Sequence, residues 1–397
     1  MPCMKPLAHV TILDLSRVLA CPFASMILAE LGATVIKVEQ PGSGDETRSF
    51  EPQLAQDSAY YFACNRSKSS ISVNLRSKEG QQVVRELAQQ ADVFVENFPA
   101  GTFARYGLDF ATLSALNPRL CYVSCTGFGQ TGPYAAKKGY DTVFQAMGGI
   151  MSLTGEKGGG PVKPGLPVAD LTSGLWVAIG ILSMLAGREK TGNGAYLDFS
   201  MLDGQVSLLT LAAARYFALG EVPPRLGTEH PGRVPTATFR CRDGKYAHIT
   251  ASDQHWVPLC SALGLAQWGA DPRFADNALR VRHRDEVMAR LTLACVELDR
   301  DVLIAKLDAV QVPIGPVNDV AEILADPHVR ARRLVGSFDY PGVGEFRALA
   351  LPFKFTGWDD PEIGAPPELG AQTDEILSSR LGYSADRIAA LKAAKAI

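Results

Sequence analysis

The hydrophobic pattern of the first 130 residues changes period several times. Val10–Leu15 alternates with period two and predicts a strand, Pro22–Leu31 has helical spacing closed by Gly32, and Thr34–Val38 is β-branched and again reads as a strand. A strand–helix–strand unit seeds a parallel sheet with helices on its faces. The alternation continues through a strand at Ile71–Leu75, a helix at Glu79–Gln89, a strand at Val93–Glu96, a short apolar stretch at Leu113–Leu116, and a strand at Leu120–Ser124 that turns at Gly127 and Gly129. The fold class expected is therefore α/β.

Beyond this region a Gly/Pro-rich loop (Gly158 to Pro167) leads to one acid, Asp170, and then to the uncharged apolar run Leu171–Gly187. That run falls just short of the roughly 20 apolar residues that span a bilayer. Ser173, Gly174, Ser183 and the loop before it favour a core helix. A helix over Leu202–Leu219 precedes a Pro/Gly-rich linker, Gly220–Pro235. Thr238–Arg240 and Tyr246–Thr250, joined by a turn at Asp243-Gly244, predict a hairpin. Helical stretches follow near 255–263, 284–297, 300–308 and 319–325, with a turn at Tyr340–Gly344 and a terminal helix at 384–395.

At 397 residues the chain is too long for one ordinary core, so two domains are expected. A composition of 47% hydrophobic and 20% charged residues with net charge −3 describes an ordinary soluble protein, with no electrostatic footprint for nucleic acid or a membrane surface. The eight cysteines show no metal-ligand spacing. Without a secretory layout at the N-terminus they are expected as free thiols in the cytoplasm.

Asp170 carries two readings. As a helix cap it would accept hydrogen bonds from the first free N–H groups near Leu171, and the helix dipole would hold it ionised. As a nucleophile the same carboxylate could attack an activated acyl group, with nearby N–H groups holding the oxyanion. A dinucleotide site is the obvious alternative for the first strand–helix–strand unit, with Glu39 on a ribose. The turn Ser16-Arg17-Val18-Leu19-Ala20-Cys21-Pro22 lacks the glycines that such a site needs, however, and Gly42-Ser43-Gly44 is a weak substitute. Basic residues stand at turns: Arg17, Arg48, Arg66, Lys68, Arg76, Arg105 and Lys138. Surface charge is the simplest reading of each alone, but a subset converging on a cleft would suit a phosphate-bearing ligand.

Several segments together resemble class III (CaiB/BaiF, formyl-CoA transferase-like) CoA-transferases. They are Asp14-Leu15-Ser16-Arg17-Val18, Leu31 to Glu39, Gly42-Ser43-Gly44-Asp45, Thr47-Arg48, Glu96-Asn97-Phe98, Gly101, Arg105-Tyr106-Gly107, Gly127-Phe128-Gly129, Gly132-Pro133, Gly139-Tyr140-Asp141, Gly148-Gly149 and Pro167-Val168-Ala169-Asp170. The likeness is densest over residues 10–205; Gly227, His230-Pro231 and Asp243-Gly244 extend it.

The resemblance implies a large Rossmann-like parallel-sheet domain plus a smaller α+β domain, in an interlocked homodimer. It divides the chain into 1–220 (first part of the large CoA-binding domain), 221–329 (small domain with linkers) and 330–397 (return to the large domain). It implies that Asp170 attacks an acyl-CoA to form a mixed anhydride and then an aspartyl-CoA thioester. Tyr140 and Asp141 would stand beside it, and Arg17, Val18, Ala20, Arg76, Arg105 and Lys138 would line the CoA site. No permanently bound cofactor or metal is implied; coenzyme A and acyl-CoA are substrates. The oxalate branch has Gln at Leu19 and Trp at Phe50, and a tetraglycine loop where Thr250 to Trp256 stands. Family members that move CoA between succinate and other C4–C5 dicarboxylates resemble this pattern better, which implies succinyl-CoA and a C4–C5 dicarboxylate as substrates, with Arg48, Phe50 and Arg233 as candidate acceptor contacts. An α-methylacyl-CoA racemase is the alternative of another class. It has His where this chain has Tyr140, and a tyrosine, with an ordinary pKa near 10, is a poor replacement.

Overall fold

Six short segments pair as one parallel sheet: Thr11–Asp14 (β1), Thr34–Glu39 (β2), Ser69–Ser72 (β3), Val93–Glu96 (β4), Cys121–Thr126 (β5) and Tyr196–Ser200 (β6). Their order is β3-β2-β1-β4-β5-β6, the doubly wound order in which the chain reverses direction between β1 and β4. The computed structural model describes residues 5–397. These form two compact units: the segments through Ile150, Lys163–Phe217 and His328–Ile397 make one, and Met151–Val162 with Ala218–Pro327 make the other.

The helices that bear on the site belong to the first unit: Ala20–Glu30 (α1), Lys78–Ala88 (α2), Asp141–Met147 (α3), Val168–Thr191 (α4) and Ala385–Ala393 (α5). The period of two along each strand explains how the sheet is covered. Ile12, Val95 and Val123 point to a face packed by α1 and α4. Their neighbours Leu13, Phe94 and Tyr122 point to the opposite face, where α2 and the C-terminal helix α5 pack. The C-terminal return also covers the edge strand β3. Gln372 N–H donates to the Ser70 carbonyl at 3.0 Å, and Ser72 N–H donates to Thr373 Oγ1 at 3.0 Å.

Helix α4 is apolar and long enough to cross a membrane by length and composition. Its buried stripe Ala169, Ser173, Gly174, Val177, Ile181 and Leu185 packs in the sheet core. A Cβ at Gly174 would lie 2.6 Å from the Ala20 carbonyl oxygen, so glycine there permits close approach to α1. The other face leaves Leu175, Trp176, Ile179 and Leu182 exposed.

The second unit is built on an antiparallel sheet of Thr236–Arg240 (β7), Tyr246–Thr250 (β8) and Ile314–Pro316 (β9), ordered β9-β8-β7. Helices pack on it through Trp256, Phe274, Leu291 and Leu303.

The sequence reading missed β6, where only Leu197 and Phe199 point inward and an aspartate stands mid-strand, a weak strand signal. The helix expected over Leu202–Leu219 breaks into Met201–Ser207 and Thr210–Leu219. The ladder tightens to i−3 bonds at Leu208 and Leu209; no glycine or proline marks the spot. The turn at Tyr340–Gly344 joins two unforeseen strands, Val335–Tyr340 and Gly344–Leu349.

Three of the basic turn residues are core charges rather than surface ones. Arg66 pairs with Glu30 at 2.9 Å, Lys68 with Asp14 at 3.1 Å, and Arg48 with both Glu39 (2.7 Å) and Asp57 (2.5 Å). Arg48 also stacks over the Tyr61 ring at 3.7 Å and donates to the Pro367 carbonyl at 3.2 Å. Burial opposes its charge, but Glu39, Tyr61 and Asp57 hold its pKa above the ordinary arginine value. The expected acceptor contact at Arg48 is thereby corrected: two carboxylates already neutralise it. Glu39, the ribose ligand of the dinucleotide alternative, is tied up in the same cluster. Arg48→Met would leave both carboxylates buried and unpaired, and should cost about 3–5 kcal/mol in a urea denaturation with unchanged m. A loss below about 1 kcal/mol would mean the network is solvated instead.

Candidate active site

The loops leaving the C-terminal ends of β1, β2, β3 and β4 enclose a cavity of about 390 Å³ at the point where the strand order reverses. That is where open parallel sheets bind ligands. Its wall includes Arg17, Gln40, Arg76, Phe98, Tyr106 and Lys395.

The first of these loops is fixed by side chains that bind its backbone. Asn97 accepts from Arg17 N–H at 2.9 Å and donates to the Arg17 carbonyl at 2.8 Å. Val18 has φ 69°, and its N–H donates to the Asp45 carboxylate at 3.2 and 3.3 Å. Behind the loop, buried Lys37 donates to Ser16 O at 2.9 Å and Asp45 Oδ2 at 2.8 Å. The Arg17 guanidinium stacks 4.2 Å from the Phe98 ring centre and pairs with Glu46 at 3.1 Å. The structure thus brings Arg17 and Arg76 to one cavity, with Val18 and Ala20 continuing the Arg17 loop into α1. Arg105 is exposed beside Tyr106 and donates to Thr102 Oγ1 at 3.3 Å; neither it nor exposed Lys138 forms part of this wall.

Helix α1 begins at Ala20 with no side-chain cap. The N–H groups of Ala20 and Cys21 therefore lack both an intrahelical partner and a capping oxygen. The contact of Gly174 with the Ala20 carbonyl puts α4 against this end of α1. Asp170 lies one helical turn before Gly174, a rise of about 6 Å.

Asp170 stands in the first turn of α4, which starts at Val168, so it is not the cap expected from sequence. The capping carboxylate is Asp141 at the start of α3. Its Oδ1 accepts from Ala169 N–H at 2.9 Å and Asp170 N–H at 3.2 Å, and its Oδ2 accepts from Gln145 Nε2 at 2.5 Å. Val168 N–H and Leu171 N–H are taken by the Leu166 and Pro167 carbonyls. The α4 N-terminus therefore has no donor left for an oxyanion, contrary to expectation. Gln145 is fully buried, with Oε1 unpartnered, and only its fourth-residue spacing from Asp141 could have flagged it.

Helix α3 fits closely because Gly139 has no side chain: a Cβ there would sit 2.5 Å from Phe144 Cζ. Tyr140, by contrast, is 81% exposed. Phe50 is 37% exposed and lines a separate open cavity of about 920 Å³ together with Arg48. Arg233 is exposed and belongs to the second unit. The seven described cysteines are all buried and unbridged, and among the described residues no cluster of three or more His, Cys, Asp or Glu could hold a metal.

Burial, with the nearby Asp141 charge, pushes the Asp170 carboxyl up to about 7. Burial and Asp141 both favour the neutral acid, against the ionised cap that the sequence suggests. Burial also lifts Glu96 to about 7, against hydrogen bonds from Ser124 and Phe98 N–H. Between its unfolded value near 4 and about 7, the folded protein holds a proton on Asp170 that the unfolded chain releases, so this residue lowers stability as pH rises. Asp170→Asn should therefore melt with the parent near pH 4 and above it by pH 8; Glu96 is common to both proteins and cancels. Equal melting at pH 8 would show that ionised Asp170 is well solvated.

A model of CoA-transferase family III matches residues 7–373. The chain is 37% identical to the succinyl-CoA:glutarate CoA-transferase of Mus musculus, over 96% of this chain and 87% of the relative. It is also 37% identical to the acetyl-CoA:oxalate CoA-transferase of Acetobacter aceti, over 92% of this chain and 94% of that one. A solved CaiB/BaiF family protein from Brucella suis superposes with a TM-score of 0.85 at 40% identity, over 94% of this chain and 99% of the other. The chain belongs to CoA-transferase family III and is a CoA-transferase of that class.

Proposed function

We propose that this enzyme moves CoA from succinyl-CoA, or another dicarboxylyl-CoA, to a C4–C5 dicarboxylate, with Asp170 as the nucleophile. The Asp170 carboxylate attacks the thioester carbonyl; the C–S bond breaks, releasing CoA thiolate and leaving a mixed anhydride. The thiolate attacks the Asp170 carbonyl and expels the donor as free acid, giving an aspartyl-CoA thioester. The acceptor carboxylate then displaces the thiolate, and the thiolate attacks the acceptor carbonyl of the new anhydride. Product acyl-CoA leaves and Asp170 returns as a carboxylate. One thioester replaces another, so the net free-energy change is small and the enzyme's task is to keep water from activated acyl groups.

The observation that carries this reading is Asp170 itself: half-buried, locked by Asp141 through its own N–H, and on the helix whose Gly174, one turn further on, packs against Ala20 of α1. The Ala20 and Cys21 N–H groups are proposed donors to the oxyanions that form on the acyl groups. Arg17, Val18, Ala20 and Arg76 are proposed to bind CoA, which the shared cavity of Arg17 and Arg76 supports. Arg105 and Lys138, both exposed, are proposed to join the CoA site. Tyr140 is proposed to lie against the acyl group. Phe50 and Arg233 remain the acceptor candidates, with Arg233 free to clamp a distal carboxylate. The exposed apolar stripe Leu175, Trp176, Ile179 and Leu182 supports an intertwined homodimer. Seven buried, unbridged thiols support a cytoplasmic setting.

The Acetobacter relative makes oxalate the second acceptor reading. With succinyl-CoA as donor, product acyl-CoAs from glutarate, other C4–C5 dicarboxylates and oxalate separate the two. A C4–C5 acid should exceed oxalate in kcat/KM by about tenfold or more, and preference for oxalate would overturn the assignment. The donor kcat/KM should rise with pH through about 7 as free Asp170 ionises. A flat profile from pH 5 to 9 would contradict a nucleophile in this environment. Light scattering at micromolar concentration should give twice the chain mass; a monomer would rule out the intertwined assembly.

A further inference from the structure

The C-terminal helix α5 ends in a left-handed turn in which Ala396 N–H bonds Leu391 O at 2.9 Å and Lys395 N–H bonds Lys392 O at 2.9 Å. The residue in the left-handed position is Lys395, with φ 54°. Glycine is the least strained residue there, because an L side chain crowds the backbone at positive φ. This chain obeys that rule at two other helix ends: α4 stops at Gly192 with φ 75°, and the helix Thr373–Leu381 stops at Gly382 with φ 66°. Lys395 thus stands where the fold alone would favour glycine.

Asn74 fixes Lys395 against the cavity. Its N–H donates to Ala396 O at 2.8 Å, and its Nδ2 donates to Lys395 O at 3.1 Å. The same Asn74 accepts from Arg76 N–H at 3.0 Å. One side chain therefore sets both Arg76 and Lys395, and both line the cavity that also receives Arg17. Arg17 is matched by Glu46, whereas Arg76 and Lys395 have no ion-pair partner among the described residues. A cavity with an aromatic side (Phe98, Tyr106) and four basic residues, of which Arg17 and Lys37 are paired with Glu46 and Asp45 and Arg76 and Lys395 are not, suits the nucleotide end of a coenzyme A ester; the two acids in its lining, Glu39 and Asp45, are held by Arg48 and Lys37.

We infer that Lys395 is a CoA ligand, binding with Arg76 a phosphate at the nucleotide end of the acyl-CoA. The inference rests on the proposed CoA role of this cavity and adds the chain terminus to it. The ligand phosphate is either the 3′-phosphomonoester or the diphosphate, and a 3′-dephospho donor separates them.

The test is Lys395→Gly, with Lys395→Arg and Arg76→Ala beside it. Glycine removes the strain and the charge together, so a purely structural lysine and a ligand lysine respond differently. The expected result is a melting temperature equal to the parent or higher by about 1–2 °C. The acyl-CoA KM should rise roughly 3- to 10-fold, with kcat and the acceptor KM little changed. Lys395→Arg should restore most of the affinity, and raising the salt should shrink the difference. With the dephospho donor, loss of the Lys395→Gly effect assigns the monoester and its persistence assigns the diphosphate. An unchanged KM in Lys395→Gly, with KM raised in Arg76→Ala, overturns the inference alone. Unchanged KM in both variants overturns the CoA reading of the cavity as well.

Discussion

A single carboxylate, Asp141, governs how the reactive acid is presented. It accepts from the N–H groups of Ala169 and Asp170 and is steadied by Gln145, so two helices from distant parts of the sequence meet at one ion. The consequence is electrostatic as well as geometric. Burial, reinforced by this second negative charge nearby, weakens the acidity of Asp170 to about 7. An acid so tuned is a better nucleophile when ionised than an ordinary aspartate, because nucleophilicity rises with basicity. The fold accepts an unfavourable charge where the chemistry is proposed to occur.

The other half of the site depends on buried charge. Asp14, Lys37, Asp45 and Lys68 lie beneath the loop that leaves β1, each paired within the interior. Asp14 accepts from Ser16 N–H at 2.9 Å and Ser25 Oγ at 2.5 Å, while Asp45 holds Val18 N–H. Such pairs add little net stability, since desolvation offsets most of their attraction. Here they fix the path of a loop without glycine. This is how a sheet with the doubly wound order presents a cavity at its switch point while lacking the glycine fingerprint of dinucleotide folds.

The parallel sheet was legible because β-branched, buried strands such as Val93–Glu96 advertise themselves, whereas β6, with one apolar face, did not. Asp170 was legible as an acid ahead of an apolar helix, but its capping role was misassigned. A cap supplied from Asp141, 29 residues away in sequence, leaves no local signature. The basic residues show the same limit. Arg17, Arg48 and Arg76 are alike as turn arginines, and only tertiary structure separates a buried counter-charge from two cavity walls. Lys395 lay at the end of a helix read correctly in outline, and its meaning came from a backbone angle that no side-chain pattern reveals.

Intact-protein mass spectrometry after brief mixing with succinyl-CoA tests covalent catalysis by Asp170 directly. The account predicts a mass increase of one CoA less water, mapped to Asp170 by peptide analysis and absent from Asp170→Asn. Turnover without any adduct, or an adduct on another residue that survives in Asp170→Asn, would contradict it.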